Sequence, residues 1–263
     1  MRFILIGLIP LTQPEKRREP MILHKFKTQA DLDRAAADLI ISVVRSKTNA
    51  VLGMATGGTP VGLYKEIVKT YQQGLISFKE ARTFNLDEYV GLPVTHPESY
   101  RAFMQRNLFD HIDIKPENTH VPNGNAPDID AECRRYDEML YQQGPVDLQL
   151  LGIGHNGHIG FNEPDTELSR FTYKVTLKED TREANKRFFN SLDEVPTHAV
   201  TMGMGTIMQA KMILLVVKGQ EKAEILDRTL NGPITTQVPA SLLQTHPRVI
   251  VMTDCDVQYK VSH

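Results

Sequence analysis

Short apolar runs alternate with longer amphipathic ones along most of the chain. Residues 50–55 (AVLGMA) form an apolar run of strand length, and residues 60–73 behind it carry apolar positions at helical spacing with Pro60 in an early position. The same alternation predicts a strand over 81–86, a helix over 97–109, a charged amphipathic helix over 128–142 and a nearly continuous apolar strand over 146–153 (VDLQLLGI). Further on it predicts a helix over 181–189, strands over 199–202 and 212–217, a helix over 220–230 and a last strand over 248–252. Apolar strands separated by helices belong to a parallel sheet covered on both faces. The expected fold is therefore α/β: a single-domain, Rossmann-like sandwich with a mostly parallel central sheet between helices. No repeat, low-complexity tract or long linker divides residues 21–263.

In open α/β sheets, ligands sit beyond the carboxyl ends of the strands, on loops leading into helices. The least ordinary sequence falls at three such places, residues 56–60, 85–91 and 152–164.

Bulk properties narrow the classes of function. Of 263 residues, 41% are hydrophobic and 24% charged, a balance that suits one large buried core. The formal net charge of -2 provides no basic field for nucleic acid or anionic lipid, so a bound anion must be held by a local constellation. Cys133 and Cys255 are too few for a disulfide framework and lack metal-ligand spacing, which fits a reducing cytoplasm. Residues 1–20 contain a short apolar run followed, not preceded, by Lys16, Arg17 and Arg18. That order is wrong for a signal peptide, and the run is too short to span a bilayer. The segment reads as a dispensable extension, with an edge strand as the alternative.

Each of the three loops has a chemical reading and a structural one. In Thr56-Gly57-Gly58-Thr59-Pro60, two glycines permit a tight turn, and a following helix N-terminus exposes amide donors to an anion. It is not a Walker A loop, since the terminal Lys-Ser/Thr is missing, and such turns also serve purely structural ends. Arg187 and Lys222 are the cations that can join such a cradle, and each can equally be a solvated surface charge. Asp87, at the end of the second strand beside Glu88, can act as a general base or simply cap a turn.

The third loop, GIGHNGHIGFNEP over 152–164, follows the strongest predicted strand and holds four glycines in residues 152–160. Its concentration of His155, Asn156, His158, Asn162 and Glu163 suits proton transfer, because a carboxylate near a histidine fixes its tautomer. A metal pair at His155 and His158 lacks the helical His-Glu-x-x-His arrangement. The formal Gly-x-Gly-x-x-Gly lies mid-chain with no helix directly behind it, a weak sign of dinucleotide binding. A polar structural turn is the third alternative.

Together, TGGTP (56–60), FNLDEYVGL (84–92), HPESY (96–100), NGNAPDIDAEC (123–133) and GIGHNGHIGFNEP (152–164) resemble the glucosamine-6-phosphate deaminase (isomerase) family. The likeness runs from about residue 21 to 253. It implies a cytoplasmic enzyme of amino-sugar catabolism that converts glucosamine 6-phosphate and water into fructose 6-phosphate and ammonium, with no required cofactor or metal. It also implies a role for each matching position. Asp87 stands for the carboxylate that moves a proton between C2 and C1, and His158 for the histidine that assists ring opening. Glu163 and Asn156 stand for its two partners. Thr56, Gly57, Gly58, Thr59, Arg187 and Lys222 stand for the phosphate grip. Some relatives carry aspartate at position 156; asparagine there still hydrogen-bonds the imidazole but adds no negative charge.

Some members of that family have an allosteric site for an N-acetylated sugar phosphate, built on basic residues after the NEP segment. Here the matching positions are Tyr173 and Val175, with Glu167 in place of a small hydroxyl residue. That implies no such regulation; with the short C-terminal end the oligomeric state stays open between a monomer, the favoured reading, and an oligomer. A 6-phosphogluconolactonase is the nearest enzymatic rival, but its Asp-Gly-His turn differs from Asn-Gly-His-Ile-Gly-Phe-Asn-Glu-Pro. A sugar-phosphate-sensing domain of a transcription regulator would need an attached helix-turn-helix, for which residues 1–20 are too short.

Overall fold

The computed structural model describes residues 21–260, without the side chains of Ala184 and Phe188, so the reading of residues 1–20 lies outside the described residues. In chain order the elements are β1 (Ile22–Lys25), α1 (Gln29–Ser46), β2 (Val51–Met54), α2 (Val61–Gln72), β3 (Arg82–Asn85), β4 (Asp87–Tyr89), α3 (Tyr100–Asn107), β5 (Thr119–His120) and α4 (Ile129–Gln143). There follow β6 (Leu148–Leu151), β7 (Tyr173–Thr176), α5 (Glu179–Asn185), β8 (His198–Thr201), α6 (Met204–Ile207), β9 (Ile213–Val217), α7 (Ala223–Asn231) and β10 (Val249–Thr253).

Seven strands form one all-parallel sheet in the order β1-β10-β9-β6-β2-β3-β5. Every residue of β2, β6 and β9 is buried, as it must be where both faces of a sheet are covered. Helix α1 begins where the Thr28 hydroxyl accepts the Asp31 amide at 3.1 Å, and it buries Leu32, Ala36, Ile40 and Val44 along one face. Helix α4 is started the same way by Asp128, which accepts the Ala131 amide at 2.9 Å. These caps satisfy donors that the first helical turn leaves open.

The structure corrects the expected layout in two respects. The residues after β3 do not form a simple loop: Asp87–Tyr89 pair antiparallel with Thr201–Ala199, and β7 pairs with the other edge of β8. This second sheet, in the order β4-β8-β7, takes β8 out of the parallel sheet to which its apolar run assigned it. Its strands are too short, and β4 and β7 too polar, for their pairing to be visible in periodicity. In addition, the helix expected over 181–189 starts at Glu179 and tightens into a 3-10 turn at Lys186–Phe188, and that expected over 220–230 opens with a 3-10 turn at Gln220–Lys222.

The strand order reverses between β2 and β6. From β2 the chain builds outward to β3 and β5; from β6 it builds the other way to β9 and β10, with β1 at the outer edge beside β10. The loops leaving β2 and β6 therefore diverge and open a crevice, which is where such sheets bind ligands. Beside it stand the ends of β3 and β9. The Gln149 side chain folds over its β2 neighbour Gly53: a Cβ at Gly53 would lie 2.0 Å from Gln149 Oε1, on a residue that is itself 1% exposed. Gly53→Ala is expected to lower stability by about 1–3 kcal/mol through overpacking, seen as a lower thermal midpoint in calorimetry; an unchanged midpoint would contradict this packing.

Candidate active site

A cleft of about 730 Å³ opens at the carboxyl ends of β2, β3, β6 and β9, within the range of small-molecule sites. Thr56, Gly57, Gly58, Thr59, Asp87, Asn156, His158, Arg187 and Lys222 all line it. Glu163 lies just behind, against Asn156 and His158. The segments leaving these strands, with the 3-10 turn at Lys186–Phe188 that follows α5 and carries Arg187, bring together every site residue expected from the sequence.

The turn after β2 presents its backbone to the cleft. Gly57 takes a positive φ of 86°, and helix α2 starts at Pro60 without a side-chain cap, so its first amides stay available to an anion. Tyr64 in α2 donates to the Ala55 carbonyl at 2.6 Å and pins the turn to its helix. Across the cleft, Gly219 at φ 91° allows the chain to leave β9 sharply and bring Lys222 inward. Burial, with the charge of Arg187 nearby, lowers the Lys222 ammonium to about 8, against the opposing pull of Glu221.

The glycine-histidine turn aims its polar groups by close packing. A Cβ at Gly154 would fall 2.1 Å from His158 Cε1, so the imidazole lies directly over that glycine. The Asn156 amide nitrogen donates to Glu163 Oε2 at 2.6 Å, which turns its oxygen toward His158 Nδ1 at 2.7 Å. An amide oxygen only accepts, so Nδ1 carries a proton, and in the neutral ring Nε2 is then the atom with the lone pair. Thr181 donates a short hydrogen bond to Glu163 Oε1, which also lies 3.5 Å from His158 Nδ1. Burial alone would raise the Glu163 carboxyl, but the His158 imidazole and the hydrogen bonds from Thr181 and Asn156 outweigh it and hold the group at about 2. Asn162 is fully buried and donates to the carbonyls of Ile159 and Met202, tying the turn to the end of β8. His155 faces the cleft without a metal set: among the described residues no cluster of three or more His, Cys, Asp or Glu side chains is arranged for an ion.

Asp87 and Glu88 are adjacent buried carboxylates with opposite surroundings. Glu88 accepts the amides of Tyr89, Tyr100 and Arg101, each at 2.9 Å, and so caps α3. Asp87 is 6% exposed and accepts no hydrogen bond from the described residues. It is therefore not a turn cap. Burial, and then the Glu88 charge, push its carboxyl from 3.8 up to about 8. A buried carboxylate left without donors at a cleft wall is placed to exchange a proton with whatever enters.

Sequence reasoning did not single out Thr181 or Lys218. Thr181 lies far from Glu163 in sequence and only the fold joins them. Lys218 had a usable signal: a lysine directly after an apolar strand stands at the sheet edge where ligands bind.

Comparison with known proteins bears on the chemistry. The family described as glucosamine-6-phosphate isomerases/6-phosphogluconolactonase matches residues 27–251. The chain belongs to this family. Within it, the chain is 51% identical over 224 residues to a glucosamine-6-phosphate deaminase of Thermoanaerobacter pseudethanolicus, covering 85% of this chain and 88% of that protein. It is 53% identical over 223 residues to a glucosamine-6-phosphate deaminase of Lachnoclostridium phytofermentans, covering 85% and 94%. A solved monomeric glucosamine-6-phosphate deaminase superposes with a TM-score of 0.87 at 46% identity, over 90% of this chain and 98% of that one. A 6-phosphogluconolactonase from Thermotoga maritima shares the fold, with a TM-score of 0.68 at 17% identity over 89% of this chain and 99% of that one. Among the described residues no helix is long and apolar enough to cross a membrane.

The raised carboxyl of Asp87 has a consequence for stability. Its folded value, about 8, lies above the unfolded 3.8, so its contribution is full below pH 3.8 and is lost as pH rises through about 8. Asp87→Asn removes that loss. The variant is expected to melt several degrees above the wild type at pH 7; scanning calorimetry showing an equal or lower midpoint would remove the claim of an unpaired buried charge.

Proposed function

We propose that this chain is a glucosamine-6-phosphate deaminase, releasing ammonium and fructose 6-phosphate from glucosamine 6-phosphate and water. The observation that carries the reading is the pairing, in one cleft, of the donor-free Asp87 carboxylate with the His158–Asn156–Glu163 relay. The substrate phosphate sits on Thr56, Gly57, Gly58 and Thr59, where helix amides meet it, with Arg187 and Lys222 supplying charge. His158 Nε2 takes the anomeric hydroxyl proton as the C1–O5 bond breaks and hands it to the ring oxygen, and Glu163 with Asn156 stabilises the imidazolium formed in between. The hydrogen on C2 is then acidified by the adjacent aldehyde. Asp87 removes it and returns it to C1 through an enolamine, leaving an iminium at C2 that water hydrolyses to the ketone and ammonium. General acid–base steps of this kind supply ~10²–10⁴-fold each. The C2 proton acceptor is what separates this reading from lactone hydrolysis, which has no step for Asp87.

The chain acts in amino-sugar catabolism in the cytoplasm, as a monomer, on a small-molecule substrate and without nucleic acid, membrane or cofactor as partner. The sequence between Glu163 and β7 supports a non-allosteric enzyme: Tyr173 reaches toward Asn162 Oδ1 at 3.4 Å instead of offering a cation to a second phosphate. N-acetylglucosamine 6-phosphate is accordingly expected to leave the rate-against-substrate curve unchanged; a sigmoidal curve turned hyperbolic by that compound would refute this.

The assignment is tested by ammonium released from glucosamine 6-phosphate by the purified protein and by Asp87→Asn. Wild type is expected to release it and the variant to lose at least 10²-fold; hydrolysis of 6-phosphogluconolactone in its place would overturn the assignment. Because Asp87 must be ionised and Lys222 protonated, kcat/KM is expected to rise toward pH about 8 and fall beyond it. Lys222→Arg, which keeps its charge, should remove the falling limb. A falling limb that persists in that variant assigns it to another group.

A further inference from the structure

Behind the phosphate loop lies a buried ion pair that no step above uses. Lys218 leaves the end of β9 with its side chain 13% exposed, and its ammonium stands 2.5 Å from Asp33 Oδ1, on a side chain 12% exposed in α1. The same ammonium donates to the Thr59 carbonyl at 2.7 Å. Asp33 in turn lies against the first turn of α2: a Cβ on Gly62 would fall 2.0 Å from Asp33 Oδ2, so only glycine leaves it room. Lys218 reaches the wall of the cleft, yet both its described polar contacts hold it to Asp33 and to the loop backbone.

Two physical effects follow. A lysine fixed to a main-chain carbonyl sets where that peptide points, and Thr59 is the last loop residue before the helix whose amides face the anion. A buried carboxylate one turn behind those amides would also repel a phosphate dianion across a medium that screens poorly. An ammonium at 2.5 Å cancels most of that field. A carboxylate so buried is tolerable only while its partner stays.

We infer that Asp33 and Lys218 are a positioning pair for the phosphate site. Lys218 anchors the Thr59 carbonyl and neutralises Asp33, and Asp33 keeps Lys218 from becoming a phosphate ligand itself. The inference rests on the loop at 56–60 being the phosphate cradle.

The probe is inorganic phosphate, its dissociation constant measured by calorimetry, beside KM and kcat for glucosamine 6-phosphate. Lys218→Met is expected to weaken phosphate binding and raise KM tenfold or more, with kcat within about threefold of wild type. Lys218→Arg, which can hold both contacts, should recover most of the loss. Asp33→Asn removes the charge but keeps an acceptor, and should bind phosphate at least as tightly as wild type. A folded Lys218→Met protein with unchanged phosphate affinity overturns the proposal, as does an Asp33→Asn variant as weak as Lys218→Met. If Lys218→Met does not fold, the Asp33→Asn arm decides alone: phosphate affinity tenfold or more below wild type overturns the proposal. Failure of the wild type to release ammonium while these phosphate arms behave as expected would remove the deaminase reading and leave the pair standing. Failure of phosphate to bind the wild type would remove the cradle and the pair together.

Discussion

The parallel pairing of β2 with β6, at the point where strand order reverses, is the constraint on which the site depends. Neighbouring strands whose connections leave in opposite directions cannot fill the space above their ends, so a crevice forms there by topology. The glycine turn after β2 and the histidine turn after β6 meet across it. Gly53 leaves the room that the Gln149 side chain fills across the pair. A shift of this pair would move both turns at once, and with them the spacing between an anion-binding loop and a proton-transfer group.

Around that crevice the fold places carboxylates in contrasting environments. Glu163 is surrounded by donors and an imidazole and is held ionised, so its contribution to stability is present above pH 4.5 and lost as pH falls through about 2. Glu88 receives three backbone amides and works as a helix cap. Asp87 receives none and stays basic. Asp33 is compensated by one lysine. One carboxyl is thus left able to take a proton near neutral pH, at a cost in stability, while the others orient neighbours. Sites commonly separate acid–base roles in this way, by environment more than by residue type.

The second sheet explains how Asp87 comes to be so placed. Strand β3 ends in the parallel sheet, yet the chain passes directly into β4 and pairs with β8, with Leu86 bonded to the main chain on both sides through Met54 and Met202. Asp87 is thereby fixed at a junction between two sheets, with Gly160 of the histidine turn against it: a Cβ on that glycine would lie 3.4 Å from Asp87 Oδ2. Successive residues of a strand face opposite ways. Glu88 meets the amides at the start of α3, whereas Asp87 meets no donor among the described residues and its carboxyl remains desolvated.

Much of this was legible from the residues. The apolar runs that became β2, β6, β9 and β10 mark themselves because a strand buried on both faces is apolar along most of its length. The loops between strand and helix announce themselves by glycines and by polar residues that a core would not hold. The order of those motifs pointed to a family, and all ten expected site residues lie in or against one cleft. What periodicity does not carry is any contact made between distant segments. The pairing of β4 with β8, the bond from Thr181 to Glu163 and the pair Asp33–Lys218 each join residues far apart in sequence. The most consequential decision of that kind concerned Asp87. From spacing it is as good a turn cap as a base, because an aspartate at a strand end looks the same in either role. The family resemblance implied the base; the packed structure removes the cap, by burying the carboxyl and offering it no donor. Composition and pattern determined which elements form and which chemistry is available; tertiary structure decided which buried carboxylates find partners and which one finds none.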